Sequence, residues 1–319
     1  MGQSIVVAGA SGFIGKAVCR QLLERGRTVI GLVRRPGTLP AGVQEWLLNA
    51  EAFEGVDENW PAELRCDAVV HLAARVHMMN DTSPDALAAY RAVNVEGTMR
   101  LAQAAHRAGV RRFVFVSSVK AVAERSHGRP ISERDQPAPP DPYGVSKLEA
   151  ERALQAFGRE TGMEIVIIRP PLVYGPGVRA NFFNLMRAID KGIPLPLGAI
   201  AAQRSIVYVD NLADAIVHCA NAPAAAGHIF HVADERDVAV KELASMLAEQ
   251  LNAPRRLLPV PPALLHLVGR LTGRTAVVDR LVGELRLDCS LIREAIGWRP
   301  PYTTEQGLRE TAAWYRSNH

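Results

Sequence analysis

The chain has 319 residues, 48% hydrophobic and 22% charged, which at about 150 residues per domain leaves room for two domains and a sizeable core. Its 37 basic and 33 acidic side chains give a formal charge of +4 without runs of Lys and Arg, so no nucleic-acid partner is expected. Cys19, Cys66, Cys219 and Cys289 lie far apart with no Cys-x-x-Cys pair, which signals neither a zinc site nor a disulfide framework and fits a reducing cytoplasm.

Residues 5–8 form a β-branched run that ends in glycines rather than in a leader-type cleavage site, and an apolar-periodic helix follows up to Gly26. Further strands are expected at 28–33, 67–72 and 112–118. Ser83-Pro84-Asp85 has the cap, proline and acidic residue of a helix start, and Leu87, Tyr90, Asn94, Gly97, Leu101, Ala104 and Ala108 then mark one face of a single long helix. Asp141-Pro142 opens another helix running to Thr161, and 164–168 is the next strand. Near-continuous apolar strands alternating with helices imply an α/β fold with a doubly wound parallel sheet. After Arg169-Pro170-Pro171 prolines and glycines become dense and the elements short, so the boundary is placed at 170: residues 1–170, with a return of 205–220 to the sheet, and a smaller mixed α/β domain at 171–319. No stretch reaches the about 18 apolar residues of a membrane span. The most apolar piece, residues 260–271, is short and interrupted by His266 and Gly269, and is expected to pack inside the protein or against a second subunit.

Gly9-Ala10-Ser11-Gly12-Phe13-Ile14-Gly15 stands where a strand meets a helix. Glycines at this spacing allow the tight turn, close approach of backbone to a pyrophosphate and close helix packing, while the helix N-terminus favours the negative charge. This points to a dinucleotide. The second strand ends in Arg34-Arg35, not in the acidic residue that recognises the ribose 2′-hydroxyl of NAD. A guanidinium offers a bidentate fork to a 2′-phosphate, so NADP(H) is preferred with NAD(H) possible; the alternative is that both arginines are solvated loop residues.

Tyr143 and Lys147 lie one turn apart on the helix opened by Asp141. A phenol titrates near pH 10 in water, and an ammonium with an oxidised nicotinamide beside it stabilises the phenolate. Ser118 ends its strand on the edge where doubly wound sheets bind ligands, and its hydroxyl is expected to hold the substrate oxygen.

On these motifs, with His71-Leu72-Ala73-Ala74, Asn94-Val95-Glu96-Gly97-Thr98, residues 169–176 and residues 204–214, the whole chain resembles the extended short-chain dehydrogenase/reductase family of nucleotide-sugar epimerases, dehydratases and 4-ketoreductases. The resemblance implies a Rossmann sheet, catalytic Ser118, Tyr143 and Lys147, and a cofactor lying along Gly9, Ser11, Gly12, Phe13, Ile14, Gly15, Leu72, Ala73, Ala74, Asn94 and Pro170. It also implies a homodimer through helices within 87–108 and 143–157. Val119-Lys120 stand where the 4,6-dehydratases carry Asp-Glu, which argues against dehydration. Residues 173–182, Leu197-Gly198 and Arg204-Ser205 look most like bacterial reductases of UDP-4-keto-6-deoxy-N-acetylhexosamine, of the quinovosamine or fucosamine type, which serve surface polysaccharide synthesis. An NADPH-dependent 4-ketoreductase is therefore the first expectation; a UDP-hexose 4-epimerase with bound NAD is the alternative, and a non-catalytic dinucleotide-sensing protein the alternative of another class.

For the UDP-sugar, the resemblance matches Arg204 to an arginine that grips the diphosphate and Asn184 to an asparagine ahead of Leu185-Met186; Asn181 and Arg280 are further candidates, against a helix cap and a surface residue. The asparagine usual at Leu172 is missing. His77, with Met78 and Met79, is expected to wall the sugar pocket, and Lys120 either meets a phosphate or is solvated. His228 and His231 are expected on opposite faces of a strand, so no metal is expected.

Overall fold

The computed structural model describes residues 4–76, 85–273 and 275–319. Strand β1 (Ser4–Ala8) sends Ile5 and Val7 into one apolar core and Val6 and Ala8 into another. A strand buried on both faces needs helices on both sides, and the chain supplies them in order: α1 (Phe13–Glu24), β2 (Thr28–Val33), β3 (Gln44–Leu47), β4 (Ala68–His71), α2 (Ala86–Arg91), α3 (Thr98–Arg107), β5 (Arg112–Val116), α4 (Pro142–Thr161) and β6 (Glu164–Arg169). Val18 and Leu22 of α1 join the first core, while Leu101 and Ala105 of α3 and Leu154 of α4 join the second.

Beyond β6 follow β7 (Leu172–Tyr174), α5 (Ala180–Asp190), β8 (Gln203–Arg204), β9 (Ile206–Tyr208), α6 (Val209–Asn221), β10 (Ile229–His231), β11 (Val238–Ala239), α7 (Val240–Gln250), α8 (Pro262–Leu271), α9 (Thr275–Val282), α10 (Ser290–Ile296) and α11 (Thr304–Asn318). The main sheet has seven strands in the order β10-β6-β5-β4-β1-β2-β3, every neighbouring pair parallel. The strand order reverses between β1 and β4, and the crevice outside the carboxyl ends at such a reversal is where these sheets bind ligands.

Three expectations change. β3 is unread in the sequence because Trp46 is its one buried side chain, so the four residues carry no apolar pattern. The single long helix is instead α2 and α3 joined by a π-helical turn at Ala92–Gly97, where the Thr98 hydroxyl donates to the Asn94 carbonyl (2.7 Å) and Gly97 lies so close to Ala52 that a Cβ would stand 3.1 Å from its Cα. The stretch 205–220 returns to the main sheet as a helix and not as a strand: β9 pairs with β7, α6 packs beside α1 on the face of β4, β5 and β6 with Leu212 and Ile216 in the first core, held by the Gln21 side chain (2.9 Å to the Asp210 carbonyl) and the Arg25–Asp214 ion pair, and β10 adds the seventh strand beside β6.

The later elements are stitched together by Asp234, which is buried. Its carboxylate accepts hydrogen bonds from the Tyr208 amide (2.9 Å), the Asn211 side chain (2.7 Å) and the Tyr174 hydroxyl (2.7 Å), joining β7, β9 and α6. Among the described residues no helix is long and apolar enough to cross a membrane.

The tightest approach in the sheet is at the start of α1. A Cβ on Gly15 would overlap the Gly9 carbonyl oxygen and stand 2.8 Å from Ala10 Cα, both backbone atoms that cannot turn aside. Gly15→Ala is therefore expected to cost about 3 kcal/mol of stability, read as a lower urea midpoint with unchanged slope.

Candidate active site

The glycine loop crosses the end of β1 where the strand order reverses. Gly9 adopts φ +90°, and a Cβ there would stand 2.8 Å from the amide nitrogen of Ala73. The loop and the segment after β4 are thus packed backbone to backbone, with the Leu72 and Ala73 amides both donating to the Ala8 carbonyl (2.9 and 3.1 Å). Gly12 caps α1 with no side-chain hydrogen bond, so the first-turn amides of Phe13, Ile14 and Gly15 are left to a ligand, while Ser11 stands exposed at the tip. Glycines whose Cβ would meet backbone, beside the first-turn amides of α1, fit the close approach of a dinucleotide pyrophosphate.

Arg34 and Arg35 stand exposed just past β2, and among the described residues neither guanidinium has a hydrogen-bond or ion-pair partner. Asn94, expected along the cofactor, is buried in the π-helical turn. Its side chain accepts from the Arg75 amide (2.8 Å) and donates to the Arg75 carbonyl (3.1 Å) and the Ser146 hydroxyl (3.0 Å). It fastens the segment after β4 to α4, so it shapes the cofactor crevice from behind. Pro170 receives the Val119 amide on its carbonyl (3.0 Å), which ties the Ser118 turn to the end of β6.

Ser118, Tyr143 and Lys147 are brought to this edge by one close approach. A Cβ on Gly144 would overlap the Lys120 carbonyl oxygen, so the first turn of α4 lies directly on the turn after Ser118. Asp141 caps α4 by accepting from the Gly144 amide (2.8 Å) and also holds the Lys120 ammonium (2.6 Å), which settles Lys120 as a clamp rather than a solvated group. The phenol of Tyr143 lies near the Ser118 hydroxyl and its ring meets the edge of Tyr90 at 5.9 Å.

The protein groups do not activate this phenol: burial above all, and then the Asp141 carboxylate, raise its pKa, and only the Ser118 hydroxyl opposes them. Lys147, expected to lower it, points elsewhere. The residue is 2% exposed, and its ammonium donates to the Val116 carbonyl (2.9 Å) and lies 4.4 Å over the Phe115 ring. Behind it the buried Glu151 is paired with Arg169 at 2.9 and 2.5 Å. Sequence reasoning missed Glu151, although Tyr143, Lys147 and Glu151 recur at four-residue steps along one helix face.

Substrate candidates divide. Arg204 and Arg280 come together: the Arg204 guanidinium donates to the carbonyls of Arg280 and of Gly283 (2.9 Å). Arg280 lies 3.8 Å from Glu124, and Arg125 pairs with Asp279 at 3.3 Å. Glu124 and Arg125 also line a cavity of about 430 Å³ just past the Ser118 turn; they sit in an irregular loop with no pattern to announce them. Asn181 and Asn184 are exposed on α5, whose N-cap is Arg179 rather than Asn181; the Asn184 oxygen accepts from Arg187 (3.2 Å), and no hydrogen bond among the described residues links either to Arg204 or Ser118. His77, Met78 and Met79 lie outside the described residues. Among the described residues no group of His, Cys, Asp and Glu could hold a metal ion.

A sequence profile of the NAD dependent epimerase/dehydratase family matches residues 5–233. A UDP-glucose 4-epimerase of Vibrio cholerae is 42% identical over 100% of this chain and 98% of its own length. Among solved structures, UDP-glucose 4-epimerase of Thermotoga maritima with UDP-glucose is 25% identical, with a TM-score of 0.81 over 99% of both chains. MoeE5 in complex with UDP-glucose and NAD is 26% identical, with a TM-score of 0.76 over 99% of both chains.

Burial pushes the pKa of Lys147 down to about 7, with Glu151 acting the other way. The unfolded residue keeps its proton to about pH 10.4, so between these values the unfolded chain binds more protons and stability rises with pH. The cost of burying the ammonium is full below pH 7 and vanishes toward pH 10. Lys147→Met is therefore expected to be more stable than the parent at about pH 6, with the gap closing by about pH 10, as read from urea melts of both proteins across that range.

Proposed function

Since the chain belongs to the NAD dependent epimerase/dehydratase family, we propose that it interconverts a UDP-hexose and its C4 epimer, the glucose and N-acetylglucosamine series being the first candidates, with a resident NAD. The reading rests on the seating of Gly144 on the Lys120 carbonyl, which sets the Tyr143 phenol against Ser118 at the edge where the glycine loop opens. The whole-length likeness to the Vibrio cholerae epimerase supports epimerisation ahead of net reduction, and MoeE5 supports NAD as the cofactor.

Nicotinamide, when bound, supplies the hydride acceptor and donor at C4. Tyr143 takes the proton of the 4-hydroxyl and returns it once the keto sugar presents its other face. Ser118 donates to the same oxygen and holds it at the phenol. Lys147 keeps its ammonium on the Val116 carbonyl one turn behind and does not reach the phenol, so the phenolate would draw on the positive charge of an oxidised nicotinamide when it is bound. Arg204 and Arg280, with Arg125 beside them, supply the cationic wall for the diphosphate. Action in the cytoplasm, where four free thiols persist, and a homodimer through α2, α3 and α4 complete the proposal.

Net reduction of a UDP-4-keto-6-deoxy-N-acetylhexosamine by NADPH is the second reading, and one observation favours it: Arg34 and Arg35, exposed past β2 and without a partner among the described residues, suit a 2′-phosphate.

Purified protein without added cofactor is expected to convert UDP-glucose or UDP-N-acetylglucosamine to its 4-epimer, and Tyr143→Phe to slow this by at least about a hundredfold. No interconversion, with NADPH consumed on a 4-keto sugar, moves the assignment to the reductase; silence in both assays with NAD still bound leaves a dinucleotide sensor. In the reductase case Arg34→Asp is expected to lower the NADPH-to-NADH activity ratio by about fivefold, and an unchanged ratio removes Arg34 from cofactor recognition.

A further inference from the structure

Helix α8 is amphipathic the wrong way round. Successive residues turn by about 100°, so Leu264, Leu267, Val268 and Leu271 fall within one arc of about 100°. That stripe faces out: the four are 49%, 53%, 49% and 79% exposed. The side toward the protein carries Gly269, close enough to Val278 of α9 that a Cβ would stand 2.9 Å from its Cγ2, and His266, 3.5 Å from Asp279. Val277 of α9 (46%) and Leu258 (48%) extend the apolar surface, so six of the eleven exposed large hydrophobic side chains among the described residues lie within residues 258–277. The expected packing of this stretch inside the protein is not found.

The charge of the same region is one-sided. Residues 253–282 contain five arginines and one aspartate, so the mild excess of the whole chain gathers here. Asp279 is already matched by Arg125 and His266. Arg270 is exposed on α8, about 60° around the helix from Leu267, and Arg255 is exposed ahead of it, near Glu249 at 3.6 Å.

An exposed apolar stripe flanked by Arg270 and preceded by Arg255 is the pattern of a helix that lies in a bilayer surface, leucines among the acyl chains and guanidiniums among anionic headgroups. A second copy of the chain fits less well, because Asp279, the one acidic residue within 253–282, is already matched, so a like surface offers these arginines no counter-charge. We propose that the α8–α9 hairpin docks this protein peripherally on an anionic lipid surface. The hairpin ends at the Arg280 and Gly283 carbonyls that hold Arg204, so the docked face lies beside the cavity past Ser118.

The test is cosedimentation of the full chain with vesicles of equal parts phosphatidylcholine and phosphatidylglycerol, and with vesicles of phosphatidylcholine alone. The parent is expected to pellet with the mixed vesicles, less so at high salt, and Leu267→Glu/Leu271→Glu to bind at least about tenfold more weakly. Circular dichroism melts check that the double variant folds, and Leu271→Ser replaces it if it does not. Protein that stays in the supernatant with mixed vesicles, binds both vesicle types equally, or binds undiminished in the variants overturns the proposal. A concentration-dependent dimer abolished by the same substitutions, without vesicle binding, assigns the stripe to a second copy instead.

Discussion

The site depends on one buried charge. Lys147 is almost wholly withdrawn from solvent, and a bare ammonium in that position loses several kcal/mol of hydration. What makes it tolerable is local: the Val116 carbonyl accepts a hydrogen bond from it, the Phe115 ring lies beneath it, and Glu151 stands one turn farther along α4. Glu151 in turn is tied bidentately by Arg169, so the arrangement is a chain of alternating charges running from the catalytic edge into the space between α4 and β6. Removing Glu151 or Arg169 costs about 3–5 kcal/mol because its partner is left uncompensated. The position of Tyr143 is therefore set by groups that never approach a substrate.

Close backbone approach is the second constraint, and it acts twice. At the head of α1, Gly9 and Gly15 bring the helix, the loop and the segment after β4 within a distance that excludes any side chain; at the head of α4, Gly144 does the same against the turn after Ser118. The two close approaches lie at the carboxyl ends of parallel strands, one at the reversal of strand order and one beside β5 and β6, and the crevice lies between them. Gly177 carries the later part of the chain to the same place, where a Cβ would touch the Phe13 ring at 3.5 Å.

How much of this was legible in the chain follows from the range of the interactions. Apolar periodicity and caps are local, so β1, α1, β2, β5, α4 and β6 were readable, as were the glycine loop, Tyr143 and Lys147. The π-helical turn was not, because Asn94 and Gly97 keep helical spacing while their reasons for departing from it, Arg75 and Ala52, lie far along the sequence. The same holds for the pairing of Arg204 with the end of α9 and for the direction of Lys147, which turns to the Val116 carbonyl rather than to the phenol. The stripe on α8 was visible as apolar residues, but whether such a stripe faces in or out is decided by Gly269 and His266 meeting α9 on the opposite side.

The choice between epimerase and reductase turns on cofactor exchange. An epimerase returns the hydride to the sugar it came from and profits from a dinucleotide that does not leave; a reductase must release it after each turnover. The clamps found here favour retention, since the loop after β7 closes on Phe13 and Asn94 locks the segment after β4 to α4. The feature on the other side, Arg34-Arg35, stands in solvent, where a phosphate contact is screened within about 8–10 Å at ordinary salt and a single exposed pair contributes about 0–1 kcal/mol. That is less than one power of ten in affinity. A pair of exposed arginines can bias the choice of dinucleotide but holds it weakly, whereas enclosure by backbone at the pyrophosphate acts on either dinucleotide alike.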